Sequence, residues 1–156
     1  MTTQTPTKTS TPVVFQPTLL ADDDRGLIQK LNTSDEQSVL RITSKKGSVR
    51  ANHYHQHDSH VCYLVAGKIR YVERPLNKDP QTGAITLQDE STQTEHIIQP
   101  GQCFYTAPML AHAMEFLEDS EFLAISPRSG DSTAYEDDII RVVLVDPKEA
   151  AHRAGN

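Results

Sequence analysis

From residue 13 onward the chain breaks into short β-prone runs separated by clusters of Gly, Pro, Asn and Asp, and helical periodicity is almost absent. The runs fall near 13–16, 26–31, 37–44, 49–55, 60–66, 68–74, 84–88, 93–98, 102–106, 112–117, 121–126 and 139–144. So many short strands at close spacing satisfy their backbone groups only by closing on one another, as a sandwich or barrel. The expected fold class is therefore all-β. Residues 1–12, rich in Thr and Pro with little to bury, read as a disordered tail. Residues 13–146 form the expected β domain and 147–156 a C-terminal tail, with room for a turn of helix near 147–153. The polar segment 77–83 reads as a solvated loop.

Within this strand pattern, four of the seven histidines (His53, His55, His57 and His60) crowd into Asn52-His-Tyr-His-Gln-His-Asp-Ser-His-Val61. Imidazole is the commonest protein ligand for metals at neutral pH, so the cluster reads first as a metal site. Strand geometry suggests how the rings meet. If residues 56–59 close a hairpin, His55 lies opposite His60 and His53 opposite Cys62, with all of them on one face of the sheet. His57 shares the parity of His55 and takes the place of His60 if the strand runs further. Three converging imidazoles suit borderline divalent metals.

The remaining numbers narrow the partners. Net charge is −6 with no basic patch, which argues against nucleic acid. No apolar run approaches the roughly 20 residues of a membrane span, and the N-terminus lacks the apolar core of a signal peptide. Two cysteines, Cys62 and Cys103, are too few for a disulfide framework and fit a reducing, cytoplasmic setting.

At this point the residues resemble the cupin superfamily. Its first motif is Gly, five residues, His-x-His, three or four residues, Glu, six residues, Gly. Here Gly47, His53, His55, His60 and Gly67 keep every spacing, with His60 in the place of the Glu. The second motif is similar to Gly101-Gln-Cys-Phe-Tyr-Thr-Ala-Pro108-Met-Leu-Ala-His112, where Ala107 and Leu110 depart from the usual Pro and Gly. The resemblance implies a double-stranded β-helix (a jelly-roll barrel) holding one divalent transition metal on His53, His55, His60 and His112. Iron, manganese, copper, nickel and zinc all suit such a donor set. Four neutral ligands would leave the ion its full charge and two open positions, while a base that other members take from the Glu must come from elsewhere.

Around these ligands, Arg50-Ala-Asn-His53-Tyr-His55 resembles a stretch of sugar-nucleotide and capsular-polysaccharide cupin domains, as does Asp24-Arg25-Gly26. Arg50 either holds an anionic substrate or is a surface ion-pairing residue, and strand parity turns it away from the histidine face unless a bulge intervenes. Cys62 is expected on the metal face as a small apolar neighbour. Met109, Met114 and Phe116 are expected as an apolar pocket wall around His112. Tyr71 is a candidate proton donor, and Tyr63 is expected to pack. His96 and His152 read as surface residues without partners, and Arg128 and residues 135–141 as an edge strand or dimer contact.

Three functions fit: a dioxygenase-like metal enzyme acting on a small carbonyl or enol compound, a sugar-nucleotide isomerase or epimerase, and a non-catalytic metal or ligand binder. A homodimer is implied by the resemblance, since pairing edges hides them.

Overall fold

The computed structural model describes residues 15–32, 37–127 and 132–155. The expected tail at 1–12, the first half of the expected strand at 13–16, and Arg128 lie outside the described residues. Among the described residues, twelve strands form two curled antiparallel sheets. In chain order they are β1 (Thr18–Asp23), β2 (Gly26–Lys30), β3 (Ser38–Ser44), β4 (Val49–His55), β5 (His60–Ala66), β6 (Ile69–Lys78), β7 (Ile85–Leu87), β8 (Thr94–Ile98), β9 (Cys103–Thr106), β10 (Leu110–Phe116), β11 (Ser120–Ser126) and β12 (Ile139–Arg141). Two short helices, α1 (Ser132–Asp138) and α2 (Pro147–Ala154), follow β11 and β12.

One sheet has the order β1-β2-β3-β11-β5-β9 and the other β12-β4-β10-β6-β7, with β8 also on β6. The all-β barrel expected from the strand pattern, and the jelly roll implied by the resemblance, is what the chain forms. Consecutive strands β4 and β5 lie in different sheets, so the chain crosses the barrel at residues 56–59 instead of turning back on itself. Gly67 makes the tight return from β5 to β6. Its φ is +94°, and a Cβ there would come within 2.2 Å of Ser120 Oγ and 2.5 Å of the Asp119 carbonyl, so only glycine fits.

Between the sheets, Ile42, Leu64, Ile69, Ile98, Phe104, Phe116 and Phe122 pack with Cys62, Tyr71, Met114 and Ala124 into the main core. On the outer face of the second sheet, α2 buries Ala150 with Val145 against Val49, Val72 and Ala113. Arg70 and Arg153 both donate to the buried Glu115 carboxylate there, at 2.7 and 3.0 Å.

Three expectations need correction. Residues 15–17 carry no regular structure, and the first strand is Thr18–Asp23, which its acidic end disguised. Residues 132–138 form a helix too short to leave a periodic signal. The last strand stops at Arg141, because the backbone N–H groups of Leu144 and Val145 turn to the Asn52 side chain.

Candidate metal centre

The histidines meet by a route other than a hairpin. β4 is hydrogen-bonded to β10 and β12, and its register puts His53 directly opposite His112. β5 belongs to the facing sheet, where Cys62 pairs with Phe104 and Ala124, so Cys62 is not the cross-strand partner of His53. The four rings therefore come from both sheets and close on one another across the barrel interior. Ring centroids are 4.8 Å apart for His53 and His55, 4.9 Å for His53 and His112, and 4.7 Å for His55 and His60.

His53, His55 and His112 offer ligand atoms that all lie within 4.8 Å of one another, and His55, Asp58 and His60 form a second such group. His53, His55 and His112 are buried to 4%, 1% and 2% exposure. His57, by contrast, leaves its side chain 66% exposed and turns Nδ1 to Asp138 at 3.1 Å.

The hydrogen bonds fix how two rings are presented. His112 Nδ1 lies 3.1 Å from the Leu110 carbonyl, which can only accept, so Nδ1 carries the proton and Nε2 keeps its lone pair. His55 Nδ1 lies 3.0 Å from Asp138 Oδ2 and is held in the same way. Burial, helped by the neighbouring imidazoles, brings the pKa of His53 down to about 2 and that of His112 to about 4, the latter against the pull of the Leu110 carbonyl. Burial and then His55 take His60 to about 4, although Asp58 and Asp138 pull the other way. The interior thus holds neutral imidazoles, the form that binds metal. Three imidazole donors within one ion's reach, with a fourth beside them, fit a divalent transition metal.

A bulge changes the reading of Arg50. Ala51 and Asn52 have positive φ (65° and 56°), and the β4–β10 register shifts there, so that Arg50 pairs with Met114. Arg50 consequently crosses to the other sheet, where Nε donates to Ser44 Oγ at 2.7 Å and Nη2 to the Thr43 carbonyl at 3.0 Å. It is only 8% exposed, which excludes the surface ion-pair alternative. Burial, with Arg25 nearby, lowers its pKa to about 10, so it stays charged at neutral pH. Asn52 points outward and clamps residues 144–145.

Other expected residues fall elsewhere. Cys62 (1% exposed) and Phe116 (0%) sit inside the packed core, where Phe116 stacks on Phe122, four residues or roughly 13 Å along β10 from His112. Met114 is buried in the same cluster, whereas Met109 is exposed. Tyr63 does not pack but lies 39% exposed on the outer face. Tyr71 is buried 6.1 Å from His112, and its pKa is pushed well above the phenol range by burial and Glu73. His96 is exposed but not without a partner: its Nε2 lies 3.8 Å from Glu73. His152 is exposed.

Sequence reasoning missed three residues. Asp58 lies inside the histidine cluster, and a carboxylate among imidazoles was a signal available to be read; it accepts from Ser126 Oγ at 2.7 and 2.8 Å. Tyr135 and Asp138 come from α1, not from an edge strand, although β12 just beyond them does take the edge. The Tyr135 ring lies 6.0 Å from His53 and 5.8 Å from His55. Tyr135 as a whole is 39% exposed, but burial around its phenol, with Glu136 nearby, pushes the pKa up to about 12, so it keeps its proton at neutral pH. Nothing in the sequence pointed from 135–138 back to residue 55.

No family model matches this chain, and no curated protein does. Solved structures do. The capsular polysaccharide assembling protein CapF of Staphylococcus aureus superposes with a TM-score of 0.64 at 20% identity, over 85% of this chain and 33% of its own. An oxalate decarboxylase OxdC variant of Bacillus subtilis gives 0.57 at 17% identity, over 81% and 30%. KdgF from Halomonas sp. gives 0.53 at 17% identity, over 72% and 90%. The chain spans about a third of the length of the first two. The Bacillus decarboxylase carries Mn(II) centres. These neighbours are cupin-fold proteins, and the present chain has the cupin fold with a histidine cluster able to hold a metal ion. No helix among the described residues is long and apolar enough to cross a membrane.

Proposed function

We propose that the chain is a mononuclear metal enzyme, holding one divalent transition ion on His53, His55, His60 and His112 and acting in a dioxygenase-like manner on a small carbonyl or enol compound. The observation that carries this reading is the set of buried imidazoles of His53, His55 and His112, whose ligand atoms lie within 4.8 Å of one another in a barrel interior. A bound ion would supply Lewis acidity toward a carbonyl or enol oxygen. The chain's own groups then divide the work. Tyr135, protonated beside His53 and His55, is placed to donate a hydrogen bond or proton to substrate oxygen. Arg50, charged and turned inward, is placed to bind an anionic substituent. Met114, paired with Arg50 across the sheet, is the buried apolar neighbour on that side.

The test is metal analysis of protein purified without affinity resin or chelator, followed by oxygen uptake with diketones and enols. Iron, copper or manganese with substrate-dependent uptake is the expected result; a metal-free preparation that takes up no added divalent ion would refute the reading.

The inward course of Arg50 favours a second reading, a sugar-nucleotide isomerase or epimerase, and the likeness to CapF supports it. Zinc in the purified protein and solvent-proton exchange into a sugar nucleotide would select it over the first. A closed site with no exchangeable water on the ion would select a non-catalytic binder instead. We also propose a cytoplasmic homodimer formed through the outer face of the first sheet, where Val61, Tyr63, Val65, Tyr105 and Ile125 are exposed together. Sedimentation should give twice the chain mass, and a monomer at every concentration would refute the dimer.

A further inference from the structure

We propose that Asp138, the last residue of α1, is a positioning residue that holds the His55 ring in the one orientation and tautomer able to bind the ion. The inference rests on the metal-site reading above and adds a residue from outside both histidine segments.

The geometry is unusually complete. Asp138 Oδ2 accepts from His55 Nδ1 at 3.0 Å and from the Asp58 backbone N–H at 3.1 Å. Oδ1 accepts from the His57 backbone N–H at 2.9 Å and from His57 Nδ1 at 3.1 Å. Each oxygen therefore takes one backbone N–H and one imidazole. The carboxylate is buried, and the Asp138 carbonyl in turn accepts from Gln56 N–H at 2.9 Å. The β12 register carries the arrangement on, with Ile139 paired to His55 and Arg141 to His53.

Two consequences separate positioning from mere bracing. A carboxylate can only accept, so it forces the His55 proton onto Nδ1 and leaves Nε2 free for the ion. The bonds to the His57 and Asp58 backbone would hold the 56–59 crossing even without the imidazole contact. Replacing the acid by its amide exposes the difference, because the amide nitrogen must then face either the His57 or the Asp58 N–H. Turned toward exposed His57, it leaves an oxygen for His55. Turned the other way, it donates to His55 Nδ1 and drives the proton onto Nε2, which blocks the ligand atom.

The test uses the full chain with cobalt(II) alone as probe, read by its d–d absorption, together with long-range proton–nitrogen NMR of the metal-free wild type. Wild type should show His55 as the Nδ1–H tautomer. Asp138→Ala should raise the cobalt Kd by about 10- to 100-fold, and Asp138→Asn should raise it less, with both variants still folded by circular dichroism. A cobalt Kd within twofold of wild type in both variants would overturn the inference alone, leaving the metal site standing. An Nε2–H tautomer for His55 in the wild type would also overturn it, and that measurement decides even if Asp138→Ala does not fold. Failure of the wild type itself to bind cobalt would overturn the metal site and this inference with it.

Discussion

Along β10 the interior face reads His112, Met114, Phe116, and along β5 it reads His60, Cys62, Leu64, so each strand passes from imidazole to hydrocarbon within four residues. The side chains at the two ends are all largely buried: Phe116 and Leu64 are 0% exposed, His112 2%, and the His60 side chain 14%. What differs is what burial does to them. At the apolar end it removes carbon surface from water and stabilises the fold. At the histidine end it removes polar nitrogens from water and keeps His53 and His112 neutral, while Nδ1 of His55 and of His112 is bonded to an oxygen acceptor. Burial there lowers stability in the metal-free chain and prepares a cation site, which is the usual relation between a stable scaffold and a functional centre.

The sharpest way to break the comparison is to damage the apolar end. Phe116→Ala removes a ring stacked on Phe122 at a centroid distance of 5.8 Å and should cost ~3–5 kcal/mol. Denaturant unfolding checks the loss, and cobalt affinity of the folded protein should stay near wild type. A weakened site in a folded Phe116→Ala protein would show that the two ends are one unit.

Damage to the other end should have the converse result. His55→Ala and His112→Ala should each lower metal content at least tenfold, or about 1.4 kcal/mol of binding, while the metal-free proteins melt no lower than wild type. Full metal occupancy in both variants would remove the assignment of the centre.

Acid sharpens the contrast without a mutation. The folded pKa values of His53, His60 and His112, about 2, 4 and 4, lie below the free value of 6.5. As pH falls, the unfolded chain takes up protons first, so the stability these groups contribute is complete above pH 6.5 and is lost on the way down to the folded values. Melting temperature of the metal-free protein should hold steady above pH 7 and fall between pH 6.5 and roughly 5, a window above the carboxylate range. Phe116→Ala should keep the same slope on a lower baseline, and His53→Asn should flatten it. A profile with no slope in that window would show that the imidazoles are not held neutral by the fold.

How legible these two ends were differs for a physical reason. The strand runs were readable because period-two alternation and turn residues are local signals. The spacing from Gly47 through His55 to Gly67 and the distant His112 were readable instead through their resemblance to the cupin motifs. The partners of the histidines were not. Whether residues 56–59 turn back or cross to the facing sheet depends on which strand each half pairs with, and sequence parity was silent on that. The same gap hid the inward course of Arg50, which needs two consecutive residues in the left-handed region at Ala51 and Asn52. It hid Asp138 as well, 83 residues from the His55 ring it holds. Short-range chemistry was visible, and long-range pairing was not.

The smallest expected effect tests the choice between two neighbouring histidines. His57 and His60 are interchangeable by spacing, yet the barrel separates them: the His57 ring is 66% exposed and reaches only Asp138, while the His60 ring lies 4.7 Å from His55, with its side chain 14% exposed. The main chain explains the split, because His60 opens β5, inside the sheet, whereas His57 sits in the crossing between sheets. His57→Ala keeps the backbone N–H that Asp138 binds and loses one exposed ring contact, so stability should change by no more than about 0.5 kcal/mol and cobalt affinity by less than threefold. His60→Ala should weaken cobalt binding clearly more and alter the d–d spectrum, since it removes a nitrogen donor from the ion. If the two variants trade places in this titration, the ion sits on the solvent side of His55, and the interior that the two sheets build around His53 and His112 is not where the metal binds.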